Sequence, residues 1–438
     1  MTATATRERP PREPLPEHDD GDGEVTDARG FLRLGAAVAI LTILSLTLHI
    51  GGAVIVIGSI LLMIMLHEFG HYITARWADM KVTDFFLGFG PTLWSVKRGE
   101  TRYGIKAFPA GGFVRVIGMN NLDTIENPED EPRTYRAKSY WQRLRFAAAG
   151  SFMHFLIAFI LMIVLLAGVG RVLDTTPASN KLQNVAASLT EGGAPSPAAK
   201  AGFKSGDRVL AINDVEITSW TRAMNIIRSS ADKELNVTVD RDGKRFSIPV
   251  TPINDPSPAE KAAGITSVGR IGVQPYVPVT REALPKAVWN AAFEVRHITT
   301  ESAGALVGLF SKSSLEKYTS QVSKRGAADP SAESNRLLSP VGVSRVANAA
   351  AKDGVASVLS LLIAINIFVG IFNLIPLPPF DGGHIAVATY EAVRSRKGKR
   401  YSADMNKLLP VAYAVILALV LLSATTLWLD IVHPFNLG

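Results

Sequence analysis

The chain of 438 residues is 47% hydrophobic and only 19% charged, with a mean hydropathy of +0.19, so a bilayer is expected to solvate part of it. It contains no cysteine, which excludes disulfides, thiolate catalysis and thiolate metal ligation and leaves any metal to histidine and carboxylate. The formal charge of +7 is spread over loops beside hydrophobic segments instead of forming one basic stripe, which points to membrane topology and away from nucleic acid.

Residues 1–32, rich in Pro, Asp, Glu and Arg, are expected to form a disordered cytoplasmic tail. They do not read as a signal peptide, because acidic residues precede the first apolar stretch and no small-residue cleavage signature follows. Uncharged stretches at 34–66, 146–170, 354–380 and 408–429 meet the requirement of roughly 20 residues per spanning helix. The first continues helically to about 77, a length of roughly 60 Å, or about twice a hydrocarbon core. A break at Gly51-Gly52 therefore predicts an extra helix over 33–49 and a second over 53–77, giving five spans and a cytoplasmic N-terminus. A single tilted helix would instead place the N-terminus outside.

Arg76, Lys81, Lys97, Arg98, Arg102, Lys106, Arg115, Arg143 and Arg145 place the loop 83–148 in the cytoplasm, and Arg394, Arg396, Lys397, Lys399 and Arg400 do the same for the last loop. Residues 171–353 then lie outside. Within the cytoplasmic loop, 92–96 and 103–107 alternate across Arg98-Gly99-Glu100 as a membrane-associated β-hairpin whose edge could pair with an unwound substrate.

The first apolar run ends in His67-Glu68-Phe69-Gly70-His71. On a helix, residues i and i+4 share a face, so His67 and His71 can hold one Zn2+. Glu68 lies beside them, where its carboxylate can take a proton from the attacking water and return it to the leaving amine. Three ionisable groups within one turn of an apolar helix are costly at membrane depth and require a purpose. Catalytic zinc takes three protein ligands, and the acid in a later hydrophobic region is Asp381, within Asn373-Leu374-Ile375-Pro376-Leu377-Pro378-Pro379-Phe380-Asp381-Gly382-Gly383-His384. Three prolines there must break the helix, and broken helices at membrane depth mark sites. An interfacial turn with Asp381 as a helix cap is the plainer alternative.

The pairing of these two motifs resembles the site-2 protease family of intramembrane zinc metalloproteases. Gly88-Phe89-Gly90-Pro91 and Phe108-Pro109-Ala110-Gly111-Gly112-Phe113-Val114 look like that family's cytoplasmic β segment, and the likeness covers roughly 52–438. The nearest likeness is to the bacterial subgroup with an extracytoplasmic PDZ module that cuts anti-sigma factors after a first protease has trimmed them. The resemblance implies His67, His71 and Asp381 as zinc ligands, Glu68 as base and Asn373 as a substrate-binding group. It also implies a multi-pass protein of the bacterial plasma membrane, acting within lipid on transmembrane substrates. Phe380 stands where the family has an aliphatic residue, and His154 falls in Ala149-Gly150-Ser151-Phe152-Met153-His154, where the family pattern reads Ala-Gly-Pro followed by Asn. His154 is either a variation at the site or a histidine packed between helices.

The expected fold is a polytopic α-helical membrane protein with four core helices, a further N-terminal one, an inserted PDZ α/β domain and the cytoplasmic hairpin. Its segments are 33–82 with the histidine motif, 83–148 cytoplasmic, 149–171 spanning, 172–280 PDZ, 281–353 amphipathic on the membrane surface, and 354–438 with two spans and the Asp-Gly motif. The run 197–213 reads as a short helix, a Gly-Asp turn and a strand, followed by a helix over 220–227 and strands over 235–239 and 245–250. Such a module either captures a peptide end by strand addition or excludes large ectodomains by size. A membrane zinc transporter and a non-proteolytic PDZ scaffold are the rival readings. A transport path would need several polar stations, and a dead scaffold has no use for Glu68.

Overall fold

A computed structural model describes residues 51–119, 125, 127–171, 179–189, 193–257, 260, 264–309, 311–314, 316, 339–395, 401–403 and 405–432, with isolated positions at 32, 35, 36 and 39. Among these, four helices are long and apolar enough to cross a membrane: Val54–Trp77, Tyr140–Val169, Val355–Asn373 and Leu409–Val432. Each falls on a predicted hydrophobic run, and a helix is the form in which such a segment can satisfy its own backbone in lipid. The chain is a multi-pass membrane protein with inserted β-sheet regions. The extra helix expected over 33–49 lies almost wholly outside the described residues; the first described helix, α1 (Gly51–Trp77), opens at the glycine pair.

The chain divides into two compact units, one built chiefly from 58–153 and 376–409, the other from 154–375 and 410–438. In the first, the predicted hairpin is present, with Thr92 opposite Lys106 and Val96 opposite Tyr103. It belongs to a larger sheet. Strands β1 (Val82–Arg98) and β2 (Thr101–Val116) each fold back near their middles, so Phe85 is flanked by Tyr103 on one side and Val114 on the other. Gly88 and Gly90 take φ of +89° and +83° at the bend, a backbone that side chains with a Cβ resist. The segments run 92–98, 101–108, 82–89 and 112–116 across the sheet. Alternation fails at the Gly and Pro bends, which is why two of the four escaped the sequence pattern.

This sheet is fastened to α1 by a small core of Ala75, Ala78, Met80, Val82, Val116, Tyr135 and Phe146. Polar ties surround it. Arg133 donates to both carboxylate oxygens of Glu100 at 2.6 and 2.7 Å, Lys81 meets Asp130 at 2.6 Å, and Thr101 Oγ1 donates to the Val82 carbonyl at 2.8 Å.

In the second unit, after β3 (Leu182–Val185), α3 (Pro197–Ala201) and α4 (Trp220–Arg228) accompany strands β4 (Arg208–Ile212), β5 (Val215–Glu216), β6 (Leu235–Arg241) and β7 (Lys244–Val250). The sheet order is β5-β4-β6-β7. Both helices start on serine, with Ser196 accepting from the Ala199 amide at 3.1 Å and Ser219 from the Arg222 amide at 3.3 Å, as N-caps do. The core gathers Leu182, Phe203, Trp220, Val237, Val239 and Ile248 among others; Trp220, Val237, Val239 and Ile248 fall on the predicted helix and strands, whereas Leu182 opens β3, outside them.

Asp207, at the turn before β4, is fully buried and receives two bonds from Arg241 at 2.7 and 2.8 Å and one from the Lys204 amide at 2.8 Å. Burial pushes its carboxyl up, but the Arg241 fork and the amide outweigh this and hold it below the usual carboxylate range. A folded-state pKa below the unfolded one gives stability that is complete above about pH 4 and is lost as pH falls through the folded value. Hydrogen-exchange protection of Leu235–Arg241, corrected for intrinsic rates, should therefore hold to about pH 4 and then fall. Asp207→Asn should lower it at neutral pH and flatten the acid limb; an unchanged profile would remove the pair from the account.

The helical part of this unit packs Ala158, Met162, Leu165 and Leu166 against Ile363 and Ile367 of α7 (Val355–Asn373) and against Ala287 and Ala291 of α5 (Leu284–Leu309). The segment expected to lie along the membrane surface thus contains α5, whose Trp289 and Phe293 are exposed, and α6 (Pro340–Asp353); Phe310 lies outside the described residues. His154, 3% exposed, donates through Nδ1 to Asn366 Oδ1 at 2.9 Å, and the Asn366 amide donates to the Leu362 carbonyl at 2.8 Å. That is the histidine packed between helices of the two alternatives.

Candidate active site

The helical phase of α1 does what the spacing required: His67 Nε2 and His71 Nε2 lie 3.3 Å apart. Asp381 reaches them from α8 (Asp381–Arg394), with Oδ2 at 3.5 Å from His67 Nε2 and 3.3 Å from His71 Nε2. The three ligating atoms form one cluster. α7 ends at Asn373 and the Pro-rich turn separates it from α8. Phe380 occupies the cap position without a side-chain bond, so Asp381, the first helical residue, turns its carboxylate to the histidines instead of capping the helix.

These distances fit the metal that the motif calls for. Ligands 2.0–2.1 Å from a tetrahedral zinc stand roughly 3.3–3.4 Å from one another, which matches the observed triangle. Two neutral imidazoles and a carboxylate are also a donor set that zinc accepts at a catalytic site. His71 Nδ1 lies 2.8 Å from the Phe146 carbonyl; donating there fixes the tautomer that leaves Nε2 free to ligate.

Glu68, on the next position of α1, receives a hydrogen bond from the Val114 amide. A Cβ on Gly112 would lie 2.9 Å from Glu68 Cγ, so the strand passes this close because no side chain intervenes. Segment 112–116 is paired only with 82–87 among the described residues. The sheet edge beside the metal motif is therefore 112–116; of the hairpin expected to offer an edge, 103–107 is paired on both sides and 92–96 forms the opposite edge, because the bends bring the later segment in against Glu68.

A cavity of about 290 Å3 opens here, lined by His67, Glu68, His71, Gly112, Asp381 and His384 among others. His384 stays outside the metal cluster and sets its ring edge-on to Tyr135. Asn373 is the last residue of α7 and belongs to the second unit, whereas His67, Glu68, His71 and Asp381 are all in the first. The sequence reading overlooked Gly150. A Cβ there would fall 2.5 Å from His71 Nε2 and overlap the His67 ring, so the helix α2 (Tyr140–Ile163) backs the two imidazoles with bare backbone. The only hint was a run of small residues, Ala147-Ala148-Ala149-Gly150-Ser151, which signals close helix approach in a membrane but not what approaches.

The profile of peptidase family M50 matches residues 55–419. The zinc metalloprotease Rip1 of Mycolicibacterium smegmatis is 34% identical over 409 residues, covering 88% of this chain and 98% of that protein. Rip1 of Mycobacterium tuberculosis is 33% identical over 417 residues, covering 89% and 99%. The regulator of sigma-W protease RasP of Bacillus subtilis is 25% identical over 451 residues, covering 85% and 96%. A profile that spans most of the chain, and relatives matched nearly end to end, agree with the metal triangle and its adjacent carboxylate: the chain belongs to peptidase family M50 and is a membrane zinc metalloprotease.

Proposed function

We propose that the protein cuts single-span membrane proteins inside the bilayer, with His67, His71 and Asp381 holding zinc, Glu68 as the general base, and Asn373 contacting substrate. The observation that carries this reading is the triangle of ligating atoms at 3.3, 3.3 and 3.5 Å with Glu68 beside it. Zinc, when bound, supplies the Lewis acidity that polarises a peptide carbonyl and makes water nucleophilic near neutral pH. Glu68 takes the proton from the attacking water and returns it to the leaving nitrogen. His71, held by the Phe146 carbonyl, keeps its ring fixed throughout.

A spanning helix hides its scissile bond within its own hydrogen bonds, so the substrate must be held extended. The edge 112–116 is placed to add a substrate strand within reach of Glu68. Pro is tolerated on an edge strand where its missing donor faces outward, and the Val114 amide points to Glu68. Val114→Pro is accordingly expected to lower cleavage by about tenfold or more while zinc content stays constant, since one hydrogen bond to a charged group contributes roughly 1.5–3 kcal/mol. Equal losses of zinc and activity would sink the strand-addition reading.

The α/β unit of the second half, with its four-stranded antiparallel sheet and two capped helices, is the PDZ module of this scheme, outside the cytoplasm of a bacterial cell. It screens the trimmed end of a substrate or excludes an untrimmed ectodomain. The exposed Trp289 and Phe293 of α5 suit contact with lipid headgroups. Anti-sigma factors cut first by another protease are the substrate class, a reading supported by the name of the RasP relative, a regulator of a sigma factor. Incubating membranes with a tagged single-span anti-sigma factor, trimmed or full length, tests it; full-length substrate cut as fast as trimmed would overturn the gating role.

A further inference from the structure

The metal cluster draws its ligands from two chain segments far apart in sequence, and something must set one against the other. Helix α2 is the common reference. Its Phe146 carbonyl holds His71, its Gly150 backs both imidazoles, and its Arg143, one turn before Phe146, pairs with Glu391 of α8. Positions 143, 146 and 150 follow the i, i+3, i+7 spacing of one helix face. The helix that carries Asp381 is thus tied to the same face that fixes the histidines.

We propose that the buried Arg143–Glu391 ion pair is the strut that positions Asp381 on the zinc, so that metal affinity depends on a salt bridge outside the metal cluster. Arg143 is 7% exposed and Glu391 6%, and the Arg143 guanidinium donates to Glu391 Oε2. The second Glu391 oxygen accepts the Ala403 amide at 2.6 Å, and the Arg143 guanidinium lies 5.7 Å from the Tyr135 ring centroid. Tyr140 and Thr389 make a weaker contact between the same helices at 3.4 Å. A buried ion pair is a poor device for stability alone, because desolvation offsets most of its attraction; its best-attested use is to fix register.

Register is what this helix needs. Glu391 lies ten residues after Asp381, roughly 15 Å along the axis, so the pair holds the far end of α8. The near end is seated on the Pro-rich turn, where a Cβ on Gly383 would come within 2.7 Å of the Pro378 nitrogen. Two fixed points define where the Asp381 carboxylate falls. With Glu391 released, α8 keeps its seat but can rotate or slide, and the ligand loses its aim.

The proposal rests on Asp381 being a zinc ligand, and the test separates the two. Zinc dissociation constants are measured by competition with a chromophoric chelator on the purified full chain in detergent, for wild type, Glu391→Gln, Arg143→Lys, the reversal Arg143→Glu with Glu391→Arg, and Asp381→Ala. Folding is monitored by helicity and monodispersity without metal. Glu391→Gln is expected to weaken zinc by about 10–100-fold, the range for partners that orient a ligand, while the metal-free protein stays folded. Arg143→Lys, which keeps the charge but loses the planar fork, should weaken it less, and the reversal should recover part of the loss. A zinc affinity within threefold of wild type in folded Glu391→Gln overturns the strut; should that variant not fold, the same result in Arg143→Lys overturns it. Unchanged affinity in Asp381→Ala would instead overturn the ligand assignment itself.

Discussion

Glu68→Gln is expected to retain zinc at the wild-type level and to lower cleavage of a single-span substrate by roughly 100- to 10,000-fold, the contribution of a positioned general base. The geometry separates the two effects. Glu68 is not one of the three clustered ligating residues, and glutamine matches its shape, so the Val114 amide keeps an acceptor and the strand keeps its place. What glutamine lacks is a carboxylate able to take up a proton and give it back. Metal analysis and turnover measured on the same preparation would show full zinc with no product. Loss of zinc would place Glu68 among the ligands, and retained turnover would give the base to another residue.

Gly150→Ala is expected to have the next largest effect, on metal rather than on folding. Alanine in a helix interior is normally favoured over glycine by about 0.5–1 kcal/mol, so the substitution should leave α2 intact or firmer. Its methyl, however, would sit 2.5 Å from His71 Nε2, nearer than any real contact allows. One or both imidazoles must swing off the triangle. Zinc affinity should fall on the order of 100-fold or more, at or beyond the upper end for misoriented ligands. Gly58→Ala, on α1 with nothing near its added methyl, supplies the comparison and should bind zinc normally. If both variants bind zinc as wild type does, α2 is not the plate behind the histidines.

Much of the site could be read from the sequence because its chemistry is local. The i, i+4 histidines with an intervening glutamate carry their own geometry on any helix, and the one acid in a proline-broken apolar segment had few competitors for the third ligand. The spans were legible for a similar reason, since length and charge set them directly. The strands 235–239 and 245–250 were found through the Asp242-Gly243 turn, where Asp242 and Gly243 take φ of +54° and +80°.

What stayed hidden depends on who meets whom. Gly150 and Gly112 matter for the side chains they leave out, and that meaning appears only when another element arrives. Arg143 read as a topology signal, one basic residue in a cytoplasmic loop; its partner Glu391 is 248 residues away on a helix with no visible claim to it. The four-segment sheet was half seen because Gly88-Phe89-Gly90-Pro91 interrupts the period of two at the point where the chain doubles back. The helix expected over 33–49 lies almost wholly outside the described residues, so the choice between four and five spans rests on the length of the first apolar run and its break at Gly51-Gly52.

The position of the cut tests the central claim most directly. With the full chain and a single-span substrate in proteoliposomes containing zinc, mass spectrometry of the fragments should place the new termini inside the substrate's apolar segment, and the Glu68→Gln protein should yield none. Termini confined to the water-exposed flanks, or fragments that persist with Glu68→Gln, would contradict a metal site built between helices to hydrolyse peptide bonds within the membrane.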